Sequence, residues 1–376
     1  MPATARTFTI ILMVAATANR AVAAVHRACR ASTGPVGVER AVAAALRPAV
    51  PYDAWCGLTL DPASILPTGG FHEEGVPAPY LPRLVEIETR ADDVLALTTL
   101  ARARSAATTL AEATDGRPDR SRHYRDVLRP AGLEHELRLL LRSGGTTWGA
   151  LILFRSPATG TFTTADMAIA TAATKDVATA IRRELVLDET RERDEADGPG
   201  LLLLDADLTP VHATAAAQRW LERHDDSIDT ARGLPWCVIT LAGRAMRTDG
   251  PARSRIRTRD GQWLTLHAER LGNSRQVSII IEPTRRVEIA QLVADAYGLT
   301  RRERDVVRLL SSGYSRHEIA VSLRLSPHTV DDHVKRLFGK LDVHSRSELT
   351  YRLFLDQHAP RIRDGVPVGG RGWFLR

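Results

Sequence analysis

Between Leu299 and Tyr351 the chain carries four helix starts in quick succession, and no other stretch constrains its fold so tightly. Three are Ser/Thr-x-x-Glu capping boxes: Thr300 with Glu303, Ser315 with Glu318, and Ser345 with Glu348. In such a box the hydroxyl accepts from the N3 backbone N–H while the glutamate reaches back to the N–H of the cap. The fourth is Ser326 followed by Pro327, a hydroxyl cap with proline at the first helical position, where its missing donor costs nothing. At about 1 kcal/mol per cap, these signals define short helices sharply. Gly313 parts the first helix from the second, and only Leu325 lies between the end of the second, near Arg324, and the cap of the third. Helix, tight turn and helix at this spacing predict a helix-turn-helix unit.

The third helix decides what the unit is for. Val330, Val334, Leu337, Phe338 and Leu341 fall within about 100° of one another at 3.6 residues per turn, which predicts a buried stripe. Opposite it project His328, Asp332, Lys335 and Arg336, with Thr329, His333 and Lys340 on the flank, side chains able to reach base edges and phosphates. Taken alone, this helix reads as a solvated face of a small bundle. The charge distribution moves the reading. Residues 301–376 hold 15 Lys/Arg against 9 Asp/Glu, while the other 300 residues balance at 36 against 36. The whole formal charge of +6 therefore sits at one end, the footprint of a polyanion binder.

The same residues resemble a family. Leu299-Thr-Arg-Arg-Glu-Arg-Asp-Val-Val, Gly313, Glu318-Ile-Ala, Leu325-Ser-Pro-His-Thr-Val-Asp-Asp-His-Val-Lys, Lys340-Leu-Asp-Val and Ser345-Arg-Ser-Glu-Leu are similar to the LuxR/NarL-type C-terminal DNA-binding domain, over about 50 residues and a seventh of the chain. The resemblance implies an all-α, four-helix domain over 299–356, with the helix from Pro327 in the major groove and the last helix as a dimer contact. It places base reading at Asp331, Asp332 and Lys335, the first of these being basic in some relatives. The candidate DNA-binding set is Ser326, His328, Thr329, Asp331, Asp332, His333, Lys335, Arg336, Lys340 and Arg346, the last gripping phosphate beside the cap of the final helix. Double-stranded DNA, a second copy of the chain and RNA polymerase are the partners this implies.

At 376 residues the chain has room for two or three domains. Cys29, Cys56 and Cys237 are scattered and form no Cys-x-x-Cys pair, which excludes a disulfide framework or zinc finger as the organising principle and fits a reducing cytoplasm. Arg6 followed by Phe8 to Ala16 mimics the start and core of a signal peptide but is too short to span a bilayer. With a DNA-binding domain on the same chain, it reads as a strand or helix packed on the next domain, in a cytoplasmic protein with no membrane segment.

In chain order, Ala15 to Leu46 is alanine-rich and helical with a break at Thr33-Gly34-Pro35, and Ala54–Leu60 and Ile65–Leu66 read as strands. Residues 78–129 look mostly helical, with a Gly/Pro-containing break near Asp115 to Pro118. Glu134–Arg142 and Thr147–Arg155 flank Ser143-Gly-Gly-Thr146, a hairpin signal, and a long helix spans Thr163 to Val186. The run Trp148-Gly-Ala-Leu-Ile-Leu-Phe, then Phe162-Thr-Thr-Ala-Asp and the alanine-rich helix, resembles the end of a GAF domain. That implies an α+β sensor over 1–187, with a six-stranded antiparallel sheet and a small-molecule pocket on one face, covered by residues between Phe71 and Gly132. Residues 188–198 form a charged linker, readable as a solvated connection or as a continuation of the long helix into a coiled coil. The segment 199–285 holds strands at Leu201–Leu204 and Val211–His212, a helix from Thr214 to Arg223, and strands at Ala252–Arg257, Trp263–Ala268 and Gln276–Ile281. Leu204-Asp-Ala-Asp with Thr258-Arg-Asp-Gly-Gln-Trp gives this α+β segment its likeness to a PAS domain. A connecting helix over 286–298 and a disordered basic tail over 357–376 complete the chain.

Enzymatic signatures are missing. No phosphate-binding loop and no receiver-type acidic cluster is present, and no convergent catalytic set supports an enzyme with a nucleic-acid tether. His72, Glu73 and Glu74 are adjacent in a Gly/Pro-containing loop, where neighbours rarely aim at one metal. Cys56 reads as an ordinary buried thiol, and His123, Tyr124 and His135 as surface or core residues. No cofactor is identifiable. Two readings of the front end remain: sensors that control the DNA-binding unit, or ligand-free scaffolds for dimerisation or partner binding.

Overall fold

The structure is a computed structural model of the chain, describing residues 3–71, 74–143, 145–187, 198–224, 228–229, 232–248, 250–272, 274–284, 297, 299–311, 313–341, 343–345 and 348–349. The chain divides into two compact units, one ending at Thr284 and the other beginning at Arg285. The linker at 188–197, most of the connecting segment, Arg346, most of the helix expected from Arg346 to Leu355, and the tail lie outside the described residues.

The first unit opens with helices α1 (Ala3–Ala31) and α2 (Pro35–Leu46), which take in the apolar run at Phe8–Ala16. Pro35 at the first position of α2 and Gly34 at φ 71° make the expected break. Strands β1 (Ala54–Leu60) and β2 (Pro67–Phe71) come next, then α3 (Leu81–Arg90), the short α4 (Leu97–Leu100), β3 (Ala107–Thr109) and the single-turn α5 (Leu110–Ala113). The hairpin β4 (His135–Ser143) and β5 (Thr146–Arg155) leads into the 24-residue α6 (Thr164–Leu187). The strands form an antiparallel sheet in the order β2-β1-β5-β4-β3. Gly149 makes the central seam possible: a Cβ there would lie 2.5 Å from the Leu58 carbonyl oxygen across the pair.

Three expectations change here. The described sheet has five strands where the GAF resemblance implies six; Pro77, Pro79 and Pro82 come soon after β2, and proline removes the ladder donors an added strand would need. The second strand is Pro67–Phe71 instead of Ile65–Leu66, with Ile65 at φ 56° turning the chain so that Pro67 enters first on the sheet edge. Residues 78–129 are short helical pieces around β3, more broken than the one interruption expected near Asp115 to Pro118.

The second half of this unit runs β6 (Gly200–Leu204), β7 (Pro210–Ala213), α7 (Ala215–Glu222), a two-stranded pair β8 (Ile228–Asp229) and β9 (Leu234–Pro235), α8 (Trp236–Ala245), β10 (Ala252–Arg257), β11 (Trp263–Arg270) and β12 (Val277–Pro283). Its sheet order is β10-β11-β12-β6-β7. Alternation sets its faces: Leu202, Leu204, Val277, Ile279 and Ile281 are buried, whereas Leu201 and Ile280, paired across the β6/β12 seam, are nearly half exposed. The two sheets share a core boundary. Asp61 and Arg255 form a buried ion pair at 2.6 Å, and Arg247 of the α8–β10 connection donates to the Thr89 hydroxyl of α3 at 2.8 Å.

The second unit contains helices α9 (Arg301–Ser311), α10 (Arg316–Leu323) and α11 (Pro327–Leu341). Among the described residues no helix is long and apolar enough to cross a membrane.

Candidate nucleic-acid interface

The caps read from the sequence organise the C-terminal unit. The Thr300 N–H donates to Glu303 Oε2 at 2.7 Å, and the Glu303 N–H donates back to the Thr300 hydroxyl at 3.3 Å. Ser315 and Glu318 repeat the pair at 2.7 and 3.3 Å. Ser326 accepts from the Thr329 N–H at 3.0 Å, one turn into α11. At the fourth cap Ser345 accepts from the Glu348 N–H at 3.0 Å, while the Glu348 carboxylate takes the His344 N–H at 2.8 Å, one residue before the cap. Between α10 and α11 the turn is made by Arg324 in the left-handed conformation, φ 54°, which costs a non-glycine residue about 1 kcal/mol. The Leu325 N–H closes that turn on the Ala320 carbonyl at 2.9 Å.

The expected stripe is the core. Val330, Val334, Leu337 and Leu341 of α11 are buried with Val306, Val307 and Leu310 of α9 and Ile319 and Ala320 of α10, while Phe338 stays partly covered at the edge. Seating α11 on this core turns its polar face outward. On that face one acid is paired with a cation from within, and the other contacts a histidine. Asp331 pairs with Arg316 of α10 at 2.9 Å, and Asp332 pairs with His328 one turn earlier at 3.5 Å. Lys335 and Arg336 are exposed and make no ion pair among the described residues. A helix with two aspartates thus presents two uncommitted cations in its middle, flanked by Ser326, His328 and Thr329 at its open end.

Two placements go beyond the sequence reading. Lys340 does not stand on the open face: its ammonium bonds the Glu303 carboxylate at 2.7 Å. Burial alone would raise the Glu303 pKa, but Lys340 and the Thr300 cap hold it below the ordinary carboxylate value. The cation thereby ties α11 to the cap of α9. Arg316 was no candidate, yet it sets the charge of the face by holding Asp331; its position one residue after a cap was the only signal available. His333 is half-buried on the flank, and Arg346 lies outside the described residues.

A capped helix-turn-helix with a cationic third helix is the architecture that lays one helix in a DNA major groove. Residues 298–353 match the family described as bacterial regulatory proteins, luxR family, and form a LuxR-type helix-turn-helix domain. Over 70 residues the chain is 44% identical to an HTH-type transcriptional regulator of Aeromonas salmonicida, covering 18% of this chain and 35% of that protein. Over 56 residues it is 46% identical to the transcriptional regulatory protein UhpA of Salmonella typhimurium, covering 15% of this chain and 29% of that one. The chain therefore spans about a third of the length of these relatives. The Vibrio cholerae VqmA dimer is 17% identical, with 42% of this chain and 82% of that one covered and a TM-score of 0.19, too low to bear on the fold.

Proposed function

We propose that the protein is a DNA-binding transcription regulator whose N-terminal half is sensory and governs the LuxR-type helix-turn-helix. The observation that carries the reading is the outward face of α11, where Arg316 and His328 hold the aspartates and Lys335 and Arg336 are left for DNA. Lys335 reads a base edge, Arg336 and Arg346 hold phosphate, and two copies of the chain engage half-sites about one DNA turn apart. RNA polymerase is the partner through which bound protein alters transcription. The first sheet is read as a GAF-like sensor with a small-molecule pocket, and the second as a PAS-like module packed on it. The protein has no catalytic role in this reading. The test is a salt titration of duplex binding by the full chain. Affinity that falls steeply and log-linearly with salt is expected from counterion release, and no binding at low salt would overturn the reading.

A further inference from the structure

The face of the first sheet opposite α6 buries a polar network with one end left open. His123, 1% exposed, leads into a single π-turn, Tyr124–Leu128. Its Nδ1 lies 3.1 Å from Arg138 Nη2 and 3.2 Å from Glu136 Oε2. A guanidinium can only donate, so the contact with Arg138 requires a lone pair on Nδ1, and the ring proton resides on Nε2. Protonation of the ring would leave a proton on Nε2 as well. Among the described residues that Nε2 has no hydrogen-bond partner. An unmet buried donor costs about 1–3 kcal/mol.

His123 borders a cavity of about 60 Å³, walled by Cys56 of β1, Ile152 and Phe154 of β5, Leu84 of α3 and Trp236 of α8. A buried water needs about 10–15 Å³ of such space and makes about three hydrogen bonds, so the cavity has room for several waters or for one small organic molecule. The wall offers little beyond the Nε2–H. Glu88 also lines it, but one of its oxygens takes Arg138 Nη1 and the other the Leu97 N–H at 3.3 Å. The Thr240 hydroxyl donates to the Trp236 carbonyl at 2.7 Å and keeps only acceptor lone pairs. Most of the wall is hydrocarbon, which favours an occupant that is apolar over most of its surface. An anion meets the Glu88 carboxylate, and a cation finds the Glu88 oxygens engaged and Arg138 behind them.

We propose that this cavity takes a small neutral molecule, apolar over most of its surface, with one hydrogen-bond acceptor such as a ketone oxygen that meets the His123 Nε2–H. The identification rests on the sensor reading of the first sheet and names the chemical class of its ligand. Because α3 and α8 both wall the cavity, an occupant touches elements that pack on each sheet, so its binding adds directly to the boundary they share.

The experiment uses full-length protein with ¹⁵N-labelled histidine, titrated with 2-butanone and with 2-methyl-1-butene, which has the same shape without the oxygen. The expected result is a saturable shift of one histidine Nε2 resonance with the ketone, and at least tenfold weaker binding of the alkene, about 1.4 kcal/mol. Leu84→Trp fills the cavity from α3 while keeping the His123 side chain and should abolish both, with circular dichroism checking the fold. Absence of saturable binding, equal affinity for ketone and alkene, or binding that survives a folded Leu84→Trp overturns the proposal. The same samples are titrated with duplex DNA. Ketone binding without any change in DNA affinity would contradict sensor control while leaving the site standing, whereas DNA binding without ketone binding would sink the site alone.

Discussion

The two five-stranded sheets have one strand order and very different interiors. Counted within each sheet, both run 2-1-5-4-3. In the second, the covered face is hydrocarbon apart from the Ser254 hydroxyl opposite Leu266: Leu202, Leu264, Leu266, Ile279 and Ile281 meet Trp220, Val238 and Leu241. In the first, the same kind of face sets Glu136 and Arg138 beside Leu140 on one strand, answers them with Glu88 and His123 from the covering elements, and leaves a cavity. Topology is set by where turns fall and which strands alternate, and both halves obey that equally. What differs is which inward positions are polar, and there the first sheet gives up packing for a charged network. A filled core does one thing only, whereas a network with an open donor can respond to an occupant.

The largest effect should come from breaking the network on one side. Arg138→Met leaves Glu136 and the Glu88 carboxylate without their cation and should cost about 3–5 kcal/mol in denaturant unfolding. The double variant Arg138→Met/Glu136→Leu should recover a large part of that loss, since apolar replacement of a buried pair is often near neutral. A double variant as unstable as the single one would mean that the charges are not the main difference between the sheets. In the second sheet, Leu266→Ala should cost about 3 kcal/mol through lost transfer energy and the cavity it opens. Removal of Glu136 should have no counterpart there.

A smaller effect separates the sheets by pH. Burial raises the Glu136 pKa, but the Arg138 guanidinium beside it more than offsets this and brings it down to about 2. A carboxylate depressed on folding contributes stability above its unfolded value, near 4.5, and loses it as pH falls toward 2. Unfolding free energy should therefore drop between about pH 4.5 and 2, and Glu136→Gln should flatten that drop. An unchanged acid profile in Glu136→Gln would remove the charge argument.

Much of this architecture was legible. Caps state helix starts in the letters themselves, and all four hydroxyls accept from the expected backbone amides, with only the Glu348 carboxylate shifted to the His344 N–H. Strands β1, β4, β5, β6 and β10–β12 were visible because apolar runs ended on Gly, Pro or Asp turns. Strand β3 was not: three residues, Ala107–Thr109, inside an alanine-rich stretch have no period to detect. The network was hidden for another reason. Arg138 meets Glu88 and Leu95 at sequence separations of 50 and 43 residues, so only the fold brings them together, and His123 read as an ordinary core or surface residue. Lys340 shows the same limit at the DNA-binding end. Helical projection put it on the flank, while its length lets it reach back 37 residues to Glu303.

That contrast on α11 allows the central claim to be tested in one titration. A tight-binding duplex selected from a random pool and an unrelated duplex are titrated at several salt concentrations with the full chain, Lys335→Ala and Lys340→Ala. Lys335→Ala should lose about 1–3 kcal/mol on the selected duplex and much less on the unrelated one, because a base-reading contact is lost. Lys340→Ala should act mainly through thermal stability, since it releases the buried Glu303 carboxylate. Equal loss on both duplexes for Lys335→Ala, or no loss on either, would contradict the assignment of α11 as the helix that reads DNA through its outward cations.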